Sequence, residues 1–114
     1  MEHNFYPRVY GRELRIKGES YAGKIMEICE GGRPRVYFGK ERSFYVFNGK
    51  VLVEVDDKKI IMHPRDSCHI MPKQRCRLTG LEDSVVAEFS GHLREEEENQ
   101  NENGEKISLS EFRL

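Results

Sequence analysis

The side chains whose types are best suited to chemistry in this chain are its cysteines and histidines, which bind metals or, for cysteine, attack electrophiles. Cys29, Cys68 and Cys76 form no Cys-x-x-Cys pair, and an odd number of cysteines at wide spacing is a poor disulfide framework. His63 and His69 flank a turn signal. If Cys68 points towards a core, strand alternation turns His69 away from it. We therefore expect buried thiols and exposed or hydrogen-bonded histidines rather than a metal site.

The composition is that of one highly charged globular domain. With 114 residues, of which 34% are charged and 37% hydrophobic, the chain can form a single modest core. No apolar run approaches the ~20 residues of a membrane span, and the first residues do not resemble a signal peptide. A net charge of −1 does not favour nucleic-acid binding. We expect a cytoplasmic protein without nucleic-acid or membrane partners.

Acidic residues are concentrated near the carboxyl end. Segment 94–106 is rich in glutamate, asparagine and glutamine, which cannot bury apolar surface, so we expect an acidic flexible loop. Residues 107–114 contain enough apolar side chains to dock back on the body of the protein. The predicted organisation is a single domain over 1–93, followed by this loop and a docking segment.

The elements that must position any site are β-strands, because the dominant hydrophobic period is two. Val51, Val53 and Val55 share one face of a predicted strand. Asn48-Gly49 separates this strand from the apolar run 44–47, which predicts a hairpin with a type I′ turn. Other strands are predicted over 21–28, 33–38, 59–63, 67–71 and 84–89. Many short strands with turn signals between them favour an all-β sandwich or barrel.

Three stretches, 44–55, 64–72 and 77–89, resemble in this order the small single-domain cupins related to mannose-6-phosphate isomerase. Tyr45–Gly49 is similar to the cupin hairpin motif Tyr-Val-Leu-x-Gly, and Pro64–Asp66 is similar to the turn Pro-Gly-Asp. The residues from Ile70 onwards are similar to the strand Ile-Pro-Pro-Gly-x-x-His. The resemblance implies an all-β, cupin-type double-stranded β-helix, also called a jelly-roll barrel.

The residues that this resemblance places at the cupin metal ligands are of other types. Where family members have histidine or glutamine, histidine, glutamate and a later histidine, this chain has Arg35, Tyr37, Arg42 and Cys76. Because a guanidinium is always protonated and repels a cation, two inward arginines would replace the charge of a metal with their own. We therefore expect no standard metal centre and no cofactor. Arg65 replaces the turn glycine, so we also expect a different turn there.

The same resemblance implies a cavity lined by Arg35, Tyr37, Arg42 and Cys76. Guanidinium groups match the geometry of phosphates and carboxylates, so this cavity is a candidate binding site for a small anion. Further cations predicted at its mouth are Arg33, Lys73, Arg75 and Arg77. In the alternative interpretation, the two inward arginines form structural ion pairs with strand carboxylates, for which the candidates are Glu27, Glu54 and Glu88.

Tyr37 and Cys76 are weak catalytic candidates, the first as a general acid and the second as a nucleophile beside arginines. No histidine falls at a predicted inward position to act as a base. For a cysteine on a strand, inert packing in the core is the alternative.

Three functions remain open at this point. The first is a metal-free cupin that binds a small anionic ligand, namely a sugar phosphate, a nucleotide sugar or a carboxylate. The second is a sugar or sugar-phosphate isomerase or epimerase, which the resemblance implies and the missing metal ligands oppose. The third is a structural or protein-interaction cupin whose pocket is filled by side chains. In all three cases the resemblance implies a homodimer, since small cupins commonly pair through a sheet or exchange terminal strands.

Overall fold

The computed structural model describes residues 5–91 and 103–111. Within these ranges the chain forms short strands and a single turn of 3₁₀ helix. The strands are β1 Phe5–Arg8, β2 Gly11–Lys17, β3 Tyr21–Ile28, β4 Gly32–Arg33, β5 Arg42–Asn48, β6 Val51–Val55, β7 Lys58–Met62, β8 Ser67–Ile70, β9 Cys76–Gly80, β10 Ser84–Gly91 and β11 Glu105–Lys106, and the 3₁₀ turn is Leu109–Glu111. In the described part of the chain, no helix is long and apolar enough to cross a membrane.

The strands form two larger sheets and one short ribbon, all antiparallel. The larger sheet has six strands in the order β1-β2-β3-β10-β5-β8, and the smaller has three in the order β7-β6-β9. The inner faces of these sheets share one hydrophobic core. Its aliphatic and aromatic members include Met26, Ile28, Phe44, Val46, Val51, Val53, Met62, Ile70, Leu78 and Val86. The predicted all-β class is confirmed.

Alternation explains why these residues form strands. Along β3, whose bounds agree with the prediction, the buried residues are Ala22, Lys24, Met26 and Ile28, and their neighbours are more exposed. This pattern has one unusual member, because a lysine occupies one of the buried positions. The inner face of the larger sheet is therefore not wholly apolar.

The predicted hairpin at Asn48-Gly49 is wrong. β5 pairs with β10 and β8 in the larger sheet, whereas β6 pairs with β7 and β9 in the smaller sheet. Only Gly49 of the two turn residues has a positive φ, at 91°, so the turn is not of type I′. Asn48-Gly49 instead forms a sharp corner between the two sheets. The apolar runs on either side of it, in β5 and β6, pack against the same core from different sheets. The hairpin instead lies between β6 and β7, at Asp56-Asp57.

The predicted strand over 33–38 is also wrong for most of its length. Only Gly32–Arg33 forms a ladder, with β11, and Tyr37 makes an isolated bridge with Cys76. Pro34 has no N–H to donate, which interrupts any continuous ladder through this segment. Four strands were not predicted, namely β1, β2, β9 and β11, because none of them contains a continuous apolar run.

The turn after β7 adopts a positive φ of 78° at Arg65, the conformation for which glycine is preferred. The Arg65 N–H donates to the Val46 carbonyl at 2.8 Å, and the Asp66 N–H donates to the His63 carbonyl at 3.0 Å. These bonds hold the arginine in the left-handed region. The replacement of glycine by arginine was expected to change this turn. Arg65 nevertheless keeps the positive φ.

The carboxyl-terminal residues that are described contact the region around β4. Glu105–Lys106 pairs with Gly32–Arg33, and the Ile107 N–H donates to the Gly31 carbonyl at 2.9 Å. Most of the predicted acidic loop over 94–106 lies outside the described residues. The division into 1–93, 94–106 and 107–114 thus stays a prediction.

Candidate functional site

The inner face of the larger sheet changes from apolar to charged along its strands. Antiparallel register aligns residues of β3, β10 and β5 in rows across this face. From the core towards one strand end, the rows are Met26, Val86 and Val46; then Lys24, Glu88 and Phe44; then Ala22, Ser90 and Arg42. We call this region, defined by Lys24, Glu88 and Arg42, the polar end. It is the candidate functional site.

Arg42 is the most unusual residue of the polar end. Its side chain is among the largest that are fully buried, with 1% relative exposure. Its Cζ lies 4.6 Å from the centroid of the Tyr37 ring. Among the described residues, none of its three guanidinium nitrogens has a hydrogen-bond partner. Buried polar groups are nearly always bonded, so this guanidinium is suited to a partner from outside the chain.

Tyr37 lies between the two predicted arginines. The Cζ of Arg35, which is also buried, is 5.5 Å from the Tyr37 ring centroid, and the Phe44 ring packs edge-on at 5.2 Å. The Tyr37 hydroxyl donates to Sδ of Met26 at 3.4 Å. The structure thus brings Arg35, Tyr37 and Arg42 together, and the isolated bridge to Cys76 adds the fourth predicted residue.

The protonation of Tyr37 and Cys76 opposes the catalytic roles considered for them. Burial raises the pKa of Tyr37 well above its ordinary value, with Glu88 and Tyr10 adding to the effect and the arginines opposing it. Burial raises the pKa of Cys76 to about 12, although Arg42 acts in the opposite direction. A tyrosine and a thiol that stay protonated at neutral pH are a poor proton donor and a poor nucleophile.

Two buried carboxyl groups near the arginines were not predicted as site residues. Glu88, at 2% exposure, faces inward from β10, and its Oε1 has no hydrogen-bond partner in the described chain. Glu13 on β2 lies 2.6 Å from Nε of Arg8, 3.2 Å from Nε of Arg15 and 3.5 Å from Nζ of Lys24. From the sequence, Glu88 is only a candidate ion-pair partner of the inward arginines. Glu13 is not predicted, because it lies on β2, a strand that the sequence pattern does not indicate.

The carboxylates proposed as ion-pair partners of the inward arginines do not hydrogen-bond to Arg42 in the described chain. Glu27 pairs with Arg12 on the outer face, and Glu54 pairs with Arg33 at 3.3 Å. Glu88 leaves one oxygen unbonded. The alternative interpretation, in which these carboxylates neutralise the inward arginines as ion pairs, is therefore not supported at Arg42.

The cations predicted at the mouth are not gathered around Arg42. Cys76 and Leu78 face the core, so Arg77 between them faces the opposite side of the smaller sheet. There Arg77 and Arg33 share Glu105, at 3.0 and 3.2 Å. Arg75 lies over the exposed ring of Phe38 at 5.6 Å, and Lys73 is exposed. Arg33 and Arg77 thus serve an ion-pair network on another surface.

A divalent metal does not fit the polar end. Two buried guanidinium groups repel a cation, and the Cys76 thiol stays protonated. In residues 5–91 and 103–111, no three histidine, cysteine, aspartate or glutamate side chains are grouped as metal ligands would be. As expected from alternation, Cys68 packs on the core, while exposed His69 lies 2.9 Å from Ser43 Oγ and 2.7 Å from Glu41 Oε2.

Two clefts open at the polar end. One, of about 390 Å³, is lined by Lys40, Glu41, Arg42, Ser43, His69, Phe89, Ser90 and Gly91. The other, of about 320 Å³, is lined by Tyr6, Arg15, Ile16, Lys17, Ala22, Gly23 and Lys24. A larger cleft of about 500 Å³ lies at the opposite strand ends, around Gly11, Cys29 and Ser84, and contains none of the predicted site residues. The first cleft is the one that reaches Arg42.

No protein-family model and no curated protein matches the sequence. Solved structures do match the fold. An RmlC-like cupin from Shewanella frigidimarina superposes with a TM-score of 0.75 at 13% identity, over 83% of this chain and 88% of that chain. KdgF from Halomonas sp. gives 0.74 at 16% identity, over 83% and 91%. The Cnp3 cupin domain of Schizosaccharomyces pombe gives 0.65 at 18% identity, over 84% and 72%. The chain therefore has the cupin fold, a jelly-roll-type β sandwich.

Proposed function

We propose that this protein is a metal-free cupin that binds a small organic anion at the polar end, with Arg42 as the principal ligand-binding residue. The single observation that carries the proposal is the fully buried Arg42 guanidinium, whose three nitrogens lack hydrogen-bond partners in the described chain. Arg35 and Arg42 both lie against Tyr37, and Tyr37 pairs with Cys76, but of these four residues only Arg42 lines the 390 Å³ cleft. The anion belongs to the class of sugar phosphates, nucleotide sugars and carboxylates, and the chain is related to small cupins of the mannose-6-phosphate isomerase type with the metal ligands replaced.

The charge balance supports an anion. The buried charged residues of the described chain are three cations, Lys24, Arg35 and Arg42, and two carboxyl groups, Glu13 and Glu88. Glu13 is already surrounded by three basic side chains. An added anion would compensate the charge of Arg42, whose guanidinium has no hydrogen-bond partner in the described chain, and would accept charge-assisted hydrogen bonds from it, which are stronger than neutral ones.

Thermal melting in panels of phosphates, sugar phosphates and carboxylates tests the proposal. A ligand at about 100 times its Kd stabilises the folded state by about 2.7 kcal/mol, which is readily measured. We expect such a shift for the wild type and none for Arg42→Met. Arg12→Met is the matched control, because Arg12 is an exposed arginine of the same sheet that faces outward. A shift that survives in Arg42→Met, or the absence of any shift, would contradict the proposal.

Without ligand, we expect Arg42→Met to raise the free energy of unfolding by about 1–2 kcal/mol. An uncompensated buried charge costs several kcal/mol in desolvation, and the lost stacking on Tyr37 offsets only part of this gain. Urea denaturation measures the difference. A substantial loss of stability would instead show that Arg42 is a structural residue already satisfied in the ligand-free protein.

An interaction surface is a second candidate function, favoured by the outer face of the larger sheet. Ile16, Tyr21, Phe47 and Phe89 are about half exposed there, at 48%, 58%, 47% and 57%. Register places Ile16, Gly23 and Phe89 in one row. An apolar sheet face of this kind is typical of a protein interface. We propose that it pairs two copies of the chain.

Sedimentation velocity at micromolar concentration measures this pairing. We expect a homodimer for the wild type and a monomer for Phe89→Glu, because a buried carboxylate at the interface would be costly. Ile60→Glu is the matched control, because Ile60 is exposed to a similar degree, 48%, but lies on β7 of the smaller sheet. A monomeric wild type would rule out the homodimer.

A further inference from the structure

Glu88 and Arg42 form an unusual pair at the polar end. Ser90 lies opposite Arg42, and Glu88 lies opposite Phe44, so Arg42 and Glu88 are diagonal neighbours on the same inner face of β5 and β10. Both side chains are buried, at 1% and 2% exposure. A direct bond would satisfy both groups, but the Arg42 nitrogens and Glu88 Oε1 have no partner in the described chain. Two residues of opposite charge type thus share one buried region without a hydrogen bond between them.

An anion alone would satisfy only half of this pair. A carboxylate such as Glu88 accepts hydrogen bonds and donates none, so a simple anion beside it would add repulsion and leave Oε1 unbonded. The group that completes Glu88 must donate a hydrogen bond. A molecule that satisfies both residues therefore carries an anionic group and, a short distance away, a donor.

The surroundings of Glu88 favour a neutral donor over an ammonium group. Lys24 lies directly opposite Glu88 across β3 and β10 and is itself buried. Arg35 and Arg42 lie close enough to Tyr37 to lower the pKa of its hydroxyl, and Glu88 lies close enough to raise this pKa. An ammonium group of a ligand would meet these three cations, whereas a hydroxyl group carries no charge for them to repel.

We propose that Glu88 is a specificity-determining residue of the anion site and that the ligand is a hydroxylated acid, with its anionic group on Arg42 and an adjacent hydroxyl donating to Glu88. This inference rests on the proposed anion site and narrows its ligand class. Acids without a hydroxyl group are expected to bind more weakly because they leave Glu88 unsatisfied. Amino acids are expected to bind more weakly because they place a cation beside Lys24.

Matched three-carbon acids test the choice of donor. Propionate, lactate and alanine share a carboxylate and differ at one position, which bears hydrogen, hydroxyl or ammonium. Titration calorimetry, supported by thermal melting, gives their relative affinities for the wild type. Because a site built to bond a hydroxyl group discriminates against analogues that lack it, we expect lactate to bind at least about tenfold more tightly than propionate and alanine. Gluconate and hexanoate extend the comparison to a larger pair.

Variants of Glu88 and Arg42 test separately the residue proposed to bind the hydroxyl group and the residue proposed to bind the anionic group. Glu88→Gln is expected to reduce the preference for lactate over propionate to less than about threefold, since the amide accepts more weakly than a carboxylate. Arg42→Met is expected to abolish binding of both acids. Glu88→Met provides a second variant without a polar head group, and circular dichroism checks that each variant is folded. The comparison of lactate with propionate and alanine is made on the wild type, so it does not depend on whether any variant folds.

The outcomes distinguish this inference from the proposed function. Equal, Arg42-dependent binding of propionate and lactate would leave the anion site standing and overturn the role of Glu88. A preference for alanine would show that the donor is an ammonium group and overturn the hydroxyl assignment. A lactate preference that persists in both Glu88 variants would place the selectivity on another residue. Absence of binding by every acid would contradict both proposals.

Discussion

Replacing Glu13 with glutamine is expected to lower the free energy of unfolding by about 3 kcal/mol, because it removes one partner of a buried charge cluster. The Glu13 side chain is 1% exposed and lies within 3.5 Å of Arg8, Arg15 and Lys24. Glutamine has nearly the same shape but no charge, so three cations would face one another with little solvent to screen them. Urea denaturation of the ligand-free protein measures the loss.

Glu27→Gln is the matched control for Glu13→Gln. Glu27 lies on the neighbouring strand β3 and pairs with Arg12, but both side chains are substantially exposed, at 41% and 51%. Solvent screens such a pair, so the control variant should lose little stability. Similar losses in the two variants would show that burial of the Glu13 cluster contributes nothing beyond an ordinary surface ion pair.

The same cluster predicts how stability depends on pH. Burial raises the pKa of Glu13, but the attraction of Lys24, the hydrogen bond from Arg8 and the charge of Arg15 together outweigh it, so the pKa lies below its ordinary value of 4.5. The unfolded chain therefore binds the proton more readily. The contribution of Glu13 is complete above pH 4.5 and is lost as the pH falls through the lowered pKa of the folded state. We expect the wild type to lose stability below pH 4.5 more steeply than Glu13→Gln, and parallel curves would contradict this.

Gly49→Ala is expected to cost about 2–3 kcal/mol, because the corner between β5 and β6 has no room for a Cβ atom and requires a positive φ. The φ angle of Gly49 is 91°. A Cβ at this position would lie 2.5 Å from the Asp83 carbonyl oxygen and would overlap Oγ of Ser84. Ser84 cannot easily move, because its hydroxyl accepts from the Lys50 N–H at 3.1 Å and is 2.7 Å from the Glu82 carbonyl oxygen.

Gly91→Ala provides the control for the corner glycine. Gly91 ends β10, and a Cβ there would meet no atom within 4 Å. We expect a change of less than about 0.5 kcal/mol for this variant, as for most surface substitutions. Thermal and urea denaturation of the two variants together separate the strain of the corner from the general effect of removing a glycine. If both glycines tolerate alanine equally, the corner geometry is not a constraint on stability.

Several features of the fold could be predicted from the sequence because they depend on local periodicity. The alternation in 21–28 and 51–55 indicated two strands with correct bounds, since a strand that buries one face needs an apolar residue at every second position. The positive φ of Gly49 was also indicated by residue type alone. The cupin fold was inferred from the order of motifs and is confirmed by the solved structures.

The charged residues show where prediction from the sequence ended. Arg33, Arg35, Arg42 and Arg77 are chemically identical, and nothing local distinguishes them. The structure places Arg33 and Arg77 in an ion-pair network around Glu105, and it buries Arg42 on Tyr37 without a hydrogen-bond partner in the described chain. The resemblance to cupins selected Arg42 correctly as an inward residue but could not show that it lacks a carboxylate partner.

By itself, the sequence determined the strand character of the chain and the chemical types available to its interior. The tertiary structure decided that the corner at Gly49 joins two sheets, that Glu13 gathers three cations, and that Glu88 approaches Arg42 without bonding to it. The physical reason is that strand formation depends on neighbours two residues apart, whereas sheet pairing and charge compensation depend on residues brought together from distant positions. Glu88 and Arg42 are separated by 46 positions, and only the register of β10 against β5 makes them neighbours.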